Sequence, residues 1–259
     1  MRLRFTLAYD GSHFSGWQSQ ADGKTAQDAV ERAFLKLCGE RVIVHAAGRT
    51  DAGVHAEGQC AHVDVPDDRL PVASWMPALN AHLPAGVRIM TLRKSPGGFH
   101  ARFSAMGKIY RYTIWNGPAM PPLLRDRAWH VPWHLDMTAL KDACMAFTGR
   151  HDFAAFAARR FKEKEETKRT VSAIRIRKNG PLITLTFEGE GFLYKMVRIL
   201  TASAIRCATG KLLCSDIRRR LRDGGPKLNH VAPAGGLCLV KVFYSSRLPD
   251  PGSDGASLA

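Results

Sequence analysis

The residues with the most chemistry in the least space lie in one stretch, Ala46-Ala47-Gly48-Arg49-Thr50-Asp51-Ala52-Gly53-Val54-His55-Ala56. A guanidinium and a carboxylate stand two positions apart, flanked by residues too small to cover them. Gly48 and Gly53 open backbone conformations that other residues resist, and small side chains let a substrate approach the main chain. A carboxylate so placed, on a loop between two strands, is able to act as a nucleophile or a base. Residue types alone favour a plainer account, a loop aspartate bonded to its own turn. No metal site is expected: His130 and His134 are four apart, but Pro132 between them breaks the helix that a ligand pair would need. Cysteines at 38, 60, 144, 207, 214 and 238 form no C-x-x-C and lie mostly in apolar runs, so they read as buried reduced thiols.

The surrounding elements fall into two similar series. In residues 2–9, Leu3, Phe5, Leu7 and Tyr9 alternate with Arg2, Arg4, Thr6 and Ala8, the period of a half-buried strand. A Gly-containing loop over 10–17 follows. Thr25, with Asp28 three positions on, reads as a helix start, and Val30, Phe34 and Leu37 mark the helix's apolar face. Strands are expected over 41–46 and 59–65, a helix over 73–82 and a strand over 87–93. The second series has a strand over 110–115 and a helix capped by Asp136 with Leu140, Cys144 and Phe147 inward. A hairpin over 170–177 and 182–188, a helix over 192–209, a short helix over 215–222 ending at Gly224 and Gly225, and a strand over 237–243 complete it. Two β-α-β-β-α-β halves imply an α+β protein of two ferredoxin-like units, with antiparallel sheets forming a central cleft between their free faces. The expected boundaries are 1–104 and 105–247, with a disordered Gly/Ser/Asp-rich tail over 248–259.

Charge narrows the partner. The 259 residues carry 38 Lys+Arg against 23 Asp+Glu, a net +15, which points to a polyanion. The helix expected from Phe192 puts Lys195, Arg198 and Arg206 within an arc of roughly 80° at ~100° per residue. An arginine on so apolar a helix wants an anionic partner. Mixed charge over 159–169 and the arginines at 218, 219, 220 and 222 are consistent with solvated faces and with phosphate contacts alike. No apolar run approaches the ~20 residues that span a bilayer, and the N-terminus has no apolar h-region. A cytoplasmic protein without a membrane partner is expected.

Several segments, in order, resemble the TruA-type tRNA pseudouridine synthases. The stretch Gly48-Arg49-Thr50-Asp51-Ala52-Gly53-Val54-His55 is similar to that family's signature. So are 9–20 (Tyr-Asp-Gly-Ser-His-Phe-Ser-Gly-Trp-Gln-Ser-Gln), 78–84 (Ala-Leu-Asn-Ala-His-Leu-Pro) and 99–105 (Phe-His-Ala-Arg-Phe-Ser-Ala). The segments 110–112 (Tyr-Arg-Tyr) and 191–198 (Gly-Phe-Leu-Tyr-Lys-Met-Val-Arg) continue the likeness, which covers nearly the whole chain except the tail. The sequence departs from the family's common pattern at Ile199, at Ala202 and in the Glu/Lys-rich stretch near 162–168.

The resemblance implies conversion of uridines at tRNA positions 38, 39 and 40 to pseudouridine, without metal or cofactor, by a homodimer. It implies Asp51 as the catalytic aspartate, Tyr110 as the tyrosine packed on the target base, Arg198 as the aspartate's partner and Arg49 as the residue that helps displace the base. It gives no defined role to His55, Phe99, His100 or Arg102. A non-catalytic RNA-binding or chaperone module would share the duplicated halves and the charge. A small-molecule enzyme with an aspartate base would share only the loop.

Overall fold

The structure is a computed structural model that describes residues 1–66, 70–158 and 166–244. The first half contains β1 (Arg2–Tyr9), α1 (Ala26–Cys38), β2 (His45–Ala46), β3 (His55–Asp64), α2 (Val72–His82) and β4 (Val87–Lys94). The second contains β5 (Gly107–Trp115), β6 (Trp129–His130), α3 (Met137–Phe147), β7 (Gly149–Asp152), β8 (Lys168–Asn179), β9 (Leu182–Gly189), α4 (Met196–Ala208), α5 (Cys214–Asp223) and β10 (Leu237–Phe243).

Local signals place most of these. The apolar alternation of β1 buries Leu3, Phe5, Leu7 and Tyr9. Thr25 and Asp28 form a reciprocal capping box at the start of α1, which buries Val30 and Phe34 and leaves Leu37 half-buried. Asp136 accepts from the backbone N–H groups of Thr138 and Ala139 and starts α3, whose Leu140, Cys144 and Phe147 face the core. The α5 helix ends at Gly224, whose φ of 72° suits glycine.

The result is an α+β architecture with a mostly antiparallel ten-stranded sheet. Its main order is β4-β1-β3-β10-β5-β9-β8-β7, with β2 on β3 and β6 on β5. Each half keeps the ferredoxin-like strand order within itself. A short parallel pairing, Cys238 with His55 and Leu239 with Ala56, joins the two. The same edge of β3 takes β2 near its other end, through His45–His62 and Ala46–Ala61. The 47–54 loop therefore starts and ends on one edge of β3, where the halves meet.

Four sequence expectations change. The strand expected over 41–46 shrinks to His45–Ala46, because the Val44 N–H donates at 2.9 Å to the buried Glu31 carboxylate on α1 and not to a strand. The strand expected from Gln59 begins at His55. The helix expected from Phe192 begins at Met196; Lys195 has φ 58°, and no side chain caps the start, so the continuous apolar pattern hides the boundary. Finally, the cleft opens on the buried side of the sheet, between α1 and α4. Tyr110 at its floor shares the face of buried Tyr112 and Ile114, because side chains two apart on a strand point the same way. The expected tail over 248–259, and 159–165 of the mixed-charge segment, lie outside the described residues. Among the described residues no helix is long and apolar enough to cross a membrane.

Candidate active site

Two loops packed backbone against backbone build the site. After β1, Asp10 caps a single turn by accepting from Ser12 N at 3.1 Å, and the chain then runs beside residues 50–54. Trp17 N donates to Thr50 O at 3.0 Å. A Cβ on Gly11 would sit 2.2 Å from Val54 O, and one on Gly16 would sit 2.9 Å from Thr50 O, where φ is already 97°. The glycines of the 10–17 loop are there because nothing larger fits against the 50–54 main chain.

The aspartate loop is pinned from every side. Ala47 N donates to Cys60 O at 2.8 Å, and Gln59 Nε2 donates to Gly48 O at 2.7 Å. The buried Thr50 hydroxyl lies 2.8 Å from the Tyr9 hydroxyl. Val54 N donates to Asp51 O at 3.1 Å, and Gly53 turns the chain with φ 80°. His55 Nδ1 accepts from Gly11 N at 3.1 Å while its Nε2–H donates to Asp126 O at 2.7 Å, so one ring ties both loops to the second half. The family signature contained His55, but its tethering role needed the tertiary structure. Gly11→Ala is expected to destabilise the fold by about 1–3 kcal/mol or more, as overpacking does. Thermal melts check this, with Gly97→Ala, which meets nothing within 4 Å, retaining the wild-type midpoint.

Across the cleft, Arg198 Nη1 donates to Asp51 Oδ2 at 2.6 Å. Arg198 Nε donates to Ala232 O at 2.8 Å, and Ala232 N donates back to Arg198 O at 3.2 Å. The guanidinium is thus oriented by one backbone group and aims its other edge at the carboxylate. The two side chains remain 13% and 21% exposed, so the pair faces the cleft while standing mostly out of water. Asp51 and Arg198 are 147 positions apart in the chain.

Tyr110 is buried, with its ring edge-on to Phe192 at a centroid distance of 5.3 Å and an interplanar angle of 88°. Burial pushes its phenol well above the ordinary tyrosine range, and the charges of Tyr9 and Asp51 add to the effect. Tyr110 therefore works as a neutral ring. Arg49 stands on the exposed lip, where its Nε donates to Gln18 Oε1 at 2.9 Å. All four residues singled out in the sequence line one cleft of about 1430 Å³. Its lining also holds Arg102, Lys108 and Lys195, and among the described residues Asp51 is its one carboxylate. Sequence reasoning missed Lys108, whose only signal is its place two residues before Tyr110 on the same strand face.

Lys195 lines the cleft but is not on the helix, and its ammonium sits 5.1 Å from the Tyr194 ring centroid. The remaining candidates lie outside the cleft's lining. Arg206 donates to Lys211 O at 3.2 Å. On α5, Arg219 pairs with Asp216 at 2.6 Å and Arg222 with Asp223 at 2.8 Å, while Ile217 and Leu221 face inward. Among the described residues no group of three or more His, Cys, Asp or Glu is placed to hold a metal. All six cysteines are free; Cys214 and Cys238 are half-buried and the others buried.

The arrangement is a carboxylate held by one guanidinium, with a neutral ring in the same cationic cleft and no other acid among the described lining residues. It suits a polyanionic substrate that inserts a planar group beside an anion. Comparisons with known proteins agree. A family model described as tRNA pseudouridine synthase matches residues 6–104 and 143–245. The tRNA pseudouridine synthase A of Akkermansia muciniphila is 45% identical over 251 residues, covering 94% of this chain and 95% of that protein. That of Dechloromonas aromatica is 39% identical over 259 residues, covering 98% and 97%. That of Geobacter sp. (strain M21) is 38% identical over 244 residues, covering 93% and 98%.

Proposed function

This chain belongs to the tRNA pseudouridine synthase family, an isomerase that turns uridine in tRNA into pseudouridine, and from that premise we propose that Asp51 performs the reaction at positions 38, 39 and 40 of the anticodon arm. The observation that carries this is the 2.6 Å contact between Asp51 and Arg198 at the centre of a cationic cleft.

The reaction breaks the N1–C1′ bond of uridine and joins C5 to C1′. C5 then loses a proton and N1 gains one, so no atom enters from outside. A base inside a helix does not expose C1′ and C5 together, so it must leave the stack, at a cost of a few kcal/mol. Phosphate contacts from the cleft's Arg and Lys side chains offset that cost, and so does packing of the uracil against Tyr110, worth about 1–3 kcal/mol per stacked base. Arg49, on the lip, occupies the place the base vacates. Asp51 meets the ribose as an anion, either attacking C1′ or taking the C2′ proton. Arg198 offsets the cost of holding that charge in a cleft that RNA closes to water.

The same reading makes residues 1–104 and 105–247 two halves that share one substrate, places the protein in the cytoplasm and pairs two copies around one tRNA. Sequencing of tRNA after incubation with the protein, with chemical marking of pseudouridine, tests activity and position together. Pseudouridine at 38–40 is the expected result, and product confined to other positions overturns the site assignment. Analytical ultracentrifugation with and without tRNA tests the pairing, for which a two-to-one complex is expected.

A further inference from the structure

Beside Tyr110 the cleft is also lined by Lys108 and by His100, Arg102 and Phe103 of the turn over 99–104, which forms a rim. Lys108 precedes Tyr110 by two on β5, about 7 Å along the strand, a step comparable to one extended nucleotide. Its ammonium donates to Ala47 O at 2.9 Å. Among the described residues it makes no ion pair with a carboxylate, whereas Arg198 in the same cleft does. Burial, with the nearby charge of Arg102, brings its pKa down to about 8. A mostly buried ammonium with only a carbonyl to bond is a cation awaiting an anion.

The rim is rigid and yet displays an aromatic ring to water. Ala101 N donates to His62 Nδ1 at 3.1 Å, and the Tyr244 hydroxyl donates to Ala101 O at 2.7 Å. His100 Nδ1 accepts from Arg102 N at 3.1 Å and from Phe103 N at 3.3 Å, and His100 N donates to Ser104 Oγ at 3.1 Å. On this pinned turn Phe103 is 77% exposed. Its ring leans on His100 at 4.3 Å and 35°, with the Arg102 guanidinium 5.7 Å away. Phe103, Arg102 and Lys108 all line the cleft that holds Asp51. An exposed ring on a pinned turn, beside a guanidinium and in a cationic cleft, is the arrangement by which proteins hold unpaired nucleotides.

We propose that Lys108, Arg102 and Phe103 form a second nucleotide subsite for the residue next to the target uridine. Lys108 and Arg102 hold the phosphate that links the two nucleotides, and Phe103 stacks on the neighbouring base. The subsite rests on the reading of Asp51 and Tyr110 as the uridine site.

The test uses the full chain and anticodon stem-loop RNAs with 2-aminopurine on one side or the other of the target uridine. Wild-type protein is expected to quench the label on one side. Phe103→Leu loses that quenching and binds about five- to hundredfold more weakly, the range a stacked base is worth, while Phe103→Tyr keeps both. Lys108→Met lowers the slope of log affinity against log salt by about 0.7, the value for one phosphate contact on a single strand, and Lys108→Arg restores it. Wild-type quenching or affinity in Phe103→Leu overturns the proposal, as does an unchanged salt slope in Lys108→Met. If wild-type protein forms no pseudouridine in the unlabelled RNA, the uridine-site reading fails and the subsite with it. If wild type turns over while Phe103→Leu behaves like it, only the subsite fails.

Discussion

Asp51→Asn is expected to bind tRNA as the wild type does and to form pseudouridine at least about 10⁴-fold more slowly, the scale on which removal of a nucleophile or base acts. The substitution keeps the size of the side chain and an oxygen able to accept from Arg198 Nη1, which now bonds Asp51 Oδ2 at 2.6 Å. It removes the charge, and with it, on the proposed role of Asp51, the means of attacking C1′ or taking the C2′ proton. Among the described residues of the cleft no other group can substitute, because Asp51 is their one carboxylate and Tyr110 is held neutral. Release of tritium from C5-labelled tRNA under single-turnover conditions measures the loss, and filter binding measures retained affinity. Near-normal turnover would remove Asp51 from its role. A non-catalytic RNA-binding protein would make no product in either form, and a small-molecule enzyme would lack the steep salt dependence of tRNA binding.

Arg198→Met is expected to lower both stability and turnover, and Arg198→Lys to restore only part of each. The guanidinium bonds Asp51 and Ala232 O at once. A lysine ammonium has no planar fork and so cannot reproduce that geometry. Breaking a fully buried pair costs about 3–5 kcal/mol. Here the side chains are 13% and 21% exposed, so water in the open cleft screens part of that, leaving about 1–3 kcal/mol. The double variant Asp51→Asn/Arg198→Met separates the causes. If Arg198→Met is destabilising because it strands a carboxylate, adding Asp51→Asn recovers part of the loss. Urea denaturation of the four proteins reads this coupling, and simple additivity would mean the pair contributes nothing to the fold. In single-turnover assays Arg198→Met is expected to fall by about 10²-fold, the cost of a reacting group displaced by about an ångström.

What was legible in the sequence was local. Alternation over 2–9, the Thr25–Asp28 box, the Asp136 cap and the turn at Gly224 each depend on residues a few positions apart, and each stands in the structure where expected. The duplicated element order followed from them, and so did an α+β class. Where local signals were silent, the sequence misled. Val42 and Val44 look like strand residues but are buried outside any strand, with Val44 N bonded to Glu31 on α1. The start of α4 has no capping side chain to announce it, so four residues that line the cleft were read as helix.

By itself the sequence determined the aspartate loop, the ring and the basic residues, together with the glycines that let two backbones touch. Those are properties of residue type and near spacing. The family resemblance paired Arg198 with Asp51, and only the tertiary structure decided the geometry of that contact across 147 positions, that β3 and β10 join the halves at the root of the aspartate loop, and that the cleft lies on the buried side of the sheet. It also decided that Lys108 and Phe103 belong to the same cleft. The physical reason is the range of the forces. Capping and alternation act within a turn or a strand. An ion pair between halves forms only after hydrophobic burial has folded each one and a single short parallel pairing has set them side by side.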